Sequence, residues 1–202
     1  DWGVAEGLVF ENFEVKEFDW VKKLKDKQVV AHGSDFGFTQ DPTTLVSTIV
    51  DTQNKELWIY DEYYQRGMLT DEIYQMYIDK GLKNAEIIAD SAEKRLITEI
   101  KRKGISNIKP SVKGQGSIMQ GVQFIQGFKI YVHPSCEHTI EELNTYTFDQ
   151  DKDGNWLNKP IDENNHILDA LRYSLEKFHF PRNNKTNVNI KKNISRAKAM
   201  GL

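Results

Sequence analysis

The sequence predicts an α/β domain on a mixed central sheet, with an antiparallel meander first and parallel strands joined by helices after it. Three observations predict this. Runs rich in β-branched and aromatic residues follow one another at residues 29–35, 44–50 and 56–63 with no helical stretch between them, and strands joined by short polar turns pair antiparallel. From residue 68 onward strand-like and helix-like segments alternate, the pattern of parallel strands with crossover helices. Finally, 202 residues with 39% hydrophobic and 28% charged content suit one globular domain with a substantial core.

The elements follow in order. Residues 1–27 read as an entry segment of loops and a short strand, with Leu8, Val9 and Phe10 its apolar stretch. Val29, Val30 and Ala31 open a buried strand that ends on Asp35, with Gly33 and Gly37 on either side of the acid. Residues 51–55 form the polar turn between the second and third strands. A helix is expected over 68–80, capped near Thr70 and ended by Gly81. A short strand at 86–90 runs into a helix over 91–103, ended by Gly104. Residues 105–110 supply another strand, 116–126 a helix and 128–132 a strand. Residues 138–146 read as helical, and 147–160 as an accessory hairpin turning at Asp153-Gly154. A long amphipathic helix over 161–180 is stopped by Pro181. From Arg182 on, Asn and Lys dominate, which reads as a flexible basic tail. The expected organisation is thus an entry segment (1–27), a domain (28–180) and a tail (181–202).

Composition narrows the function classes. No apolar run approaches the roughly 20 residues of a membrane helix, and no leader precedes a cleavage site, so neither membrane insertion nor secretion is expected. The single Cys136 leaves no internal disulfide framework and fits a reducing compartment. His133 and His138 lie near it without a nucleophile motif. The chain begins at Asp1 rather than Met, as a piece of a longer protein would. Behind a net charge of −3, residues 1–80 and 133–180 carry the acidic excess, and residues 81–132 and 181–202 the basic one. A polyanion could dock on the basic segments, and solvated helix faces with a basic tail would look the same.

Three acids stand out. Asp35 ends a buried run, as a cleft carboxylate or as an ordinary turn acid. Asp90 ends the run Ile87-Ile88-Ala89 just before a helix, where with Glu93 it could equally form a capping box. In the last helix Asp162, His166, Asp169 and Tyr173 share one face. The apolar stripe of that helix is Ile167, Leu168, Leu171, Leu175 and Phe178, with Asp169 nearly opposite its centre. Periodicity alone makes Asp169 a solvated acid paired with Arg172 or Tyr173, unless the helix crosses the sheet end with its polar face toward the other acids. Three carboxylates so gathered would repel one another unless divalent cations sat among them, and hard oxygen donors suit Mg²⁺ or Mn²⁺. Two such ions about 3.5 to 4 Å apart support phosphodiester cleavage, and His166 could orient or deprotonate the water.

The runs Gly33-Ser-Asp35-Phe-Gly37 with Asp41-Pro-Thr, Ile87-Ile-Ala-Asp90-Ser-Ala, Val112-Lys-Gly-Gln-Gly-Ser-Ile118 and Asn165-His-Ile-Leu-Asp169-Ala-Leu-Arg-Tyr173 resemble, in order and spacing, the nuclease domain of tailed-phage large terminase subunits. The similarity spans residues 29–178. The resemblance implies an RNase H-like fold with central strands in the order 3-2-1-4-5. It also implies a metal-dependent endonuclease that cuts concatemeric double-stranded viral DNA at the start and end of packaging. It maps catalytic, metal-binding roles onto Asp35, Asp90 and Asp169, with His166 joining them, and it implies two divalent cations, Mg²⁺ or Mn²⁺. Implied partners are DNA, an upstream ATPase domain of the same polypeptide, a small terminase subunit and a portal protein, in the host cytoplasm. Leu8-Val9-Phe10 resembles the end of the linker from that ATPase. No G-x-x-x-x-G-K-[ST] occurs in these residues, so motor activity is not expected of them.

Two further features stay open. Lys113, Gly114 and Gly116 form a basic, glycine-rich stretch that could approach a phosphate or simply enter a helix. Asp149, Asp151, Asp153 and Gly154 match the first half of a calcium loop, but Pro160 stands where the bidentate Glu is required. A hairpin carrying Trp156 near its tip, gating the cleft or merely structural, is the better reading. Against the nuclease stand two other functions on the same fold: a noncatalytic module docking on DNA or a portal, and a ribonuclease H or junction-resolving enzyme.

Overall fold

The computed structural model describes residues 7–24, 29–112 and 114–179. The long strands β2 (Val29–Asp35), β3 (Thr43–Asp51) and β4 (Glu56–Gln65) form the expected antiparallel meander. β5 (Ile87–Ala89) pairs parallel with β2, and β6 (Ile108–Pro110) parallel with β5. The order β4-β3-β2-β5-β6 is the 3-2-1-4-5 arrangement that the resemblance implied. Two strands extend it beyond β4: β7 (Lys129–Val132) pairs parallel with β4, and β1 (Phe13–Val15) parallel with β7, giving seven strands.

The pleat divides β3 between two cores, which is why that central strand is buried along its length. Val46 and Val50 face α4 (Ser117–Gln126), α5 (Glu137–Thr145) and α6 (His166–His179), together with Ala31, Leu57, Ile59, Leu143, Leu168, Leu171 and Leu175. Leu45 faces the other way, toward Ile73, Met76 and Tyr77 of α2 (Thr70–Asp79) and Ile97 and Ile100 of α3 (Lys94–Lys103). Farther along that second face Ile49, Trp58 and Tyr131 pack under Phe18 and under Leu24 of the short helix α1 (Trp20–Leu24). Val9 and Phe10 are each only 2% exposed and lie in the first core, and the Val9 N–H bonds the Tyr146 carbonyl (2.9 Å). The apolar stretch of the entry segment is therefore packed into the domain.

Several boundaries differ from the sequence reading. The last helix starts at His166, because Asn164 takes a left-handed φ of 50° and breaks the backbone before it. Asp162 is thus exposed in a bend and does not share the helical face of His166 and Asp169. Helix α3 starts at Lys94 with Glu93 at its N-cap and no side-chain cap, so the Asp90–Glu93 capping box does not form. The accessory hairpin consists of β8 (Phe148–Gln150) and β9 (Trp156–Pro160), a two-stranded sheet of its own that is tied to the entry segment by the Phe148 N–H on the Gly7 carbonyl (2.9 Å). Its turn is held by Asp151, whose Oδ1 accepts the N–H groups of Asp153 and Asn155 (both 2.9 Å). Trp156 packs over Gly7, where a Cβ would come within 2.5 Å of the indole ring. Lys113 and the tail from residue 181 lie outside the described residues. Among the described residues no helix is long and apolar enough to cross a membrane.

Helix α6 lies directly on β2. A Cβ built on Gly33 would sit 1.8 Å from the Ala170 carbonyl oxygen and 3.0 Å from the Ser174 Cβ. Neither backbone can yield without separating helix from sheet. Gly33→Ala is expected to cost about 3 kcal/mol or more, read as a lowered urea midpoint at unchanged m. Gly114→Ala, where the added carbon meets nothing within 4 Å, should stay within about 0.5 kcal/mol of the parent.

Candidate active site at the end of β2 and β5

The alternation along β2 puts Ala31, Gly33 and Asp35 on the side that faces α6. Asp35 is the last residue of the strand, so its carboxylate stands where α6 begins. Ser34 faces the opposite layer and ties it in: the Tyr77 hydroxyl donates to Ser34 Oγ (2.8 Å), and Ser34 Oγ donates to the Thr44 carbonyl (2.5 Å). Thr44 Oγ1 in turn donates to the His166 carbonyl (3.1 Å), fixing the first turn of α6 against the meander. Asp90 follows β5, the parallel neighbour of β2, and its N–H bonds the Ser34 carbonyl (3.0 Å). Its Oδ1 accepts the Ala92 N–H (3.1 Å), a local turn that leaves the carboxylate at the strand end instead of on the helix.

Of the four expected site residues, His166 and Asp35 are in direct contact, and Asp169 and Asp90 lie near enough for their charges to act on Asp35. His166 Nδ1 lies 3.2 Å from Asp35 Oδ2, and its Nε2 lies 3.5 Å from Asp41 Oδ1. Asp169, one turn along, bonds Arg172 Nη2 through Oδ1 (2.8 Å), with the Tyr173 hydroxyl 3.5 Å from Oδ2. Burial raises the carboxyl pKa of Asp35; the His166 hydrogen bond opposes this, and the charges of Asp169 and Asp90 add to it. The Asp35 bond raises the His166 imidazole. The Tyr173 phenol is also pushed up, by burial first and then by Asp169, Asp35 and Asp90. One phenol and one carboxylate thus feel the whole acidic cluster. Asp169 pairs with Arg172 and lies near Tyr173 as periodicity suggested, but it is not a freely solvated acid, because α6 is buried on two sides: its apolar stripe packs in the first core, and Ala170 and Ser174 are pressed against β2.

Hard anionic oxygens from Asp35, Asp90 and Asp169, with an imidazole beside them, fit Mg²⁺ or Mn²⁺ in chemistry. Among the described residues, however, no three His, Cys, Asp or Glu side chains already stand as a ligand cluster. Each acid instead has a donor of its own: His166 for Asp35, the Ala92 N–H for Asp90 and Arg172 for Asp169.

Sequence reasoning missed the group that sets the entry of α6. Glu142, on α5, is 5% exposed and accepts the N–H groups of Ile167 (3.1 Å) and Leu168 (3.0 Å), two of the free donors at the helix N-terminus. It caps a helix other than its own, and no local spacing reveals that. The glycine-rich stretch is tethered in a similar way, since Val112 N–H bonds Glu176 Oε2 of α6 (2.8 Å). It leaves β6 beside the Asp90 strand end, where Ser111 N–H bonds the Ala89 carbonyl (2.7 Å) and Ser111 Oγ accepts the Ser91 N–H (3.2 Å). Gly116 takes a φ of 76° and opens α4, which accounts for the glycine there.

A seven-stranded mixed sheet with a meander at its centre, helices on both faces and acids gathered at the ends of its first and fourth core strands defines an RNase H-like domain. The chain belongs to the terminase RNase H-like domain family, whose model matches residues 35–177. It is 34% identical over 182 residues to the PBSX phage terminase large subunit of Bacillus subtilis (strain 168), a match covering 88% of this chain and 42% of that protein. It therefore spans well under half of that relative. The crystal structure of the g2p (large terminase) nuclease domain from bacteriophage SPP1 with bound Mn superposes with a TM-score of 0.77 at 26% identity, covering 84% of this chain and 98% of that one. The P22 large terminase nuclease domain shares the fold, with a TM-score of 0.63 at 18% identity, over 88% of this chain and 95% of that one.

The buried cap carries a pH signature. Burial raises the Glu142 carboxyl from its usual 4.5 to about 7, against the two N–H bonds that lower it. Between those values the folded chain holds a proton that the unfolded chain has released. The contribution of Glu142 to stability is therefore full below about pH 4.5 and lost as the pH rises through about 7. Denaturation midpoints measured in EDTA across this range should fall more steeply with pH in the parent than in Glu142→Gln. Equal slopes would count against the assignment.

Proposed function

We propose that this domain is the DNA-cutting part of a phage terminase large subunit, a metal-dependent endonuclease that hydrolyses phosphodiester bonds of concatemeric double-stranded DNA to start and end packaging. The observation that carries the reading is the largely buried Asp35 carboxylate at the end of β2, 3.2 Å from His166 of α6 and in the field of Asp169 and Asp90. The Mn-bound g2p domain of SPP1, 26% identical, supports the choice of ion.

Asp35, Asp90 and Asp169, with His166, would hold two divalent cations, Mg²⁺ or Mn²⁺. Such a pair, when bound, activates a water and stabilises the leaving oxygen of an in-line displacement. Asp35, the acid on which the charges of both Asp90 and Asp169 act, would be central among the residues that hold the ions. His166 is held through Nδ1 by Asp35 and lies near Asp41 through Nε2, so the imidazole can take up a proton at the cleft edge. The Tyr173 phenol stays protonated beside the acids. Lys113, Gly114 and Gly116 would approach a DNA phosphate, and binding through phosphates makes affinity fall steeply with salt. An ATPase domain in the remainder of a longer polypeptide, a small terminase subunit and a portal protein complete the proposed machinery, in the host cytoplasm. Residues 7–24 belong to the domain itself, with Val9 and Phe10 in its first core and β1 on its sheet, so a link to the ATPase would lie upstream of them, and residues 181–202 would supply a basic tail.

The test is cleavage of supercoiled plasmid with Mn²⁺, Mg²⁺, Ca²⁺ or EDTA. Nicking and linearisation with Mn²⁺ or Mg²⁺ are expected, reduced by about a hundredfold or more in Asp35→Asn and Asp169→Asn, roughly 3 kcal/mol of barrier. Absence of cleavage by the folded domain under every cation would favour a noncatalytic docking module. Preference for an RNA–DNA hybrid or a four-way junction would favour a ribonuclease H or a resolvase.

A further inference from the structure

Arg172 is the only cationic side chain to which Asp169 is bonded among the described residues. Its placement is built in, not accidental. The side chain is 11% exposed and that of Asp169 21%, so the pair is largely withdrawn from water. The guanidinium carbon lies 4.8 Å from the Tyr173 ring centroid, a cation–π seat. The stem passes over Gly121 of α4, where a Cβ would stand 2.5 Å from Arg172 Cγ and 2.7 Å from Cδ. A glycine on one helix, an aromatic ring and a carboxylate on the other thus confine one guanidinium beside the acidic cluster.

From this geometry we infer that Arg172 is a resident counter-ion of the third acid, a positioning residue that holds Asp169 and sets how tightly the acidic cluster takes divalent cations. A fixed positive charge beside a cation site has two opposite effects. It relieves the repulsion among Asp35, Asp90 and Asp169, which stabilises the fold without metal. It also occupies one carboxylate oxygen and repels an incoming cation, which weakens metal binding. Removing the charge reverses both, whereas a residue that merely packed there would change stability alone. The inference rests on the proposed divalent site.

The test is Mn²⁺ titration by calorimetry, with melting temperatures in EDTA and in saturating Mn²⁺, on the parent, Arg172→Gln, Arg172→Lys and Gly121→Ala. For Arg172→Gln a melting temperature lower by roughly 5 °C is expected in EDTA, with a deficit that shrinks when Mn²⁺ is added. Its Mn²⁺ dissociation constant should be tighter by on the order of tenfold. Arg172→Lys keeps the charge and should stay within about twofold of the parent affinity. Gly121→Ala displaces the arginine stem while both charges remain, and should fall between them. Parent binding of Mn²⁺ with Arg172→Gln binding no more tightly would overturn the inference and leave the metal site standing. Failure of both proteins to bind Mn²⁺ would overturn the inference and the metal reading together.

Discussion

The structure depends on the contact between Gly33 of β2 and the Ala170 carbonyl of α6. With a side chain at position 33, the helix would have to ride farther from the sheet, because the Ala170 oxygen occupies the space a Cβ would need. At the observed separation the first turn of α6 reaches past the end of β2. His166 then meets Asp35, its carbonyl meets Thr44 Oγ1, and Asp169 enters the field of Asp35. The missing methyl group thus decides whether two acids on separate elements act as one cluster. It also explains the small residues Ala170 and Ser174 on a helix whose other side carries leucines.

A second constraint fixes the direction of that helix through carboxylates borrowed from neighbours. Glu62 of β4 accepts the N–H groups of His138 and Thr139 (2.9 and 2.8 Å) and so anchors the start of α5. Glu142 of α5 then anchors the start of α6. The sheet therefore orients one helix and that helix orients the next, each through a carboxylate on free backbone donors at a positive helix end. Burying Glu142 is costly in itself, which its raised pKa records. What it secures is the position of the turn that carries His166. The two donors it takes up are no longer open to a phosphate, so the acidic side chains dominate the cleft.

How far the sequence discloses this depends on whether the cause is local. Asp35 and Asp90 are legible because a buried run ending in an acid is a property of a few adjacent residues. The central strand order follows once the meander and the alternation are recognised. The orientation of Asp169 is not legible from its own helix: the apolar stripe identifies one buried side, and the second exists only because Gly33, far earlier in the chain, admits the helix backbone. Glu142 is hidden for the same reason, since it caps a helix other than its own. Helix starts at Lys94 and His166 depend on turn geometry at Asp90 and Asn164, where periodicity carries on smoothly through the break. The placement of β7 outside β4, with β1 beyond it, was also closed to the sequence, because a crossover helix is compatible with return to either edge.

The acidic cluster sits at the end of a sheet that must stay folded whatever ions surround it. In small metal domains, metal binding and folding are one event, because the ligands have no other partners. Here each acid has a local partner: an imidazole for Asp35, a backbone N–H for Asp90 and a guanidinium for Asp169. Those partners satisfy the carboxylates singly without drawing them into one ligand set. The remaining support comes from two cores on opposite faces of β3, neither of which involves the acids. Stability and chemistry are therefore separable in this domain. The cores and the Gly33 contact hold the backbone that carries the acids, and the polar partners hold the carboxylates one by one at its end.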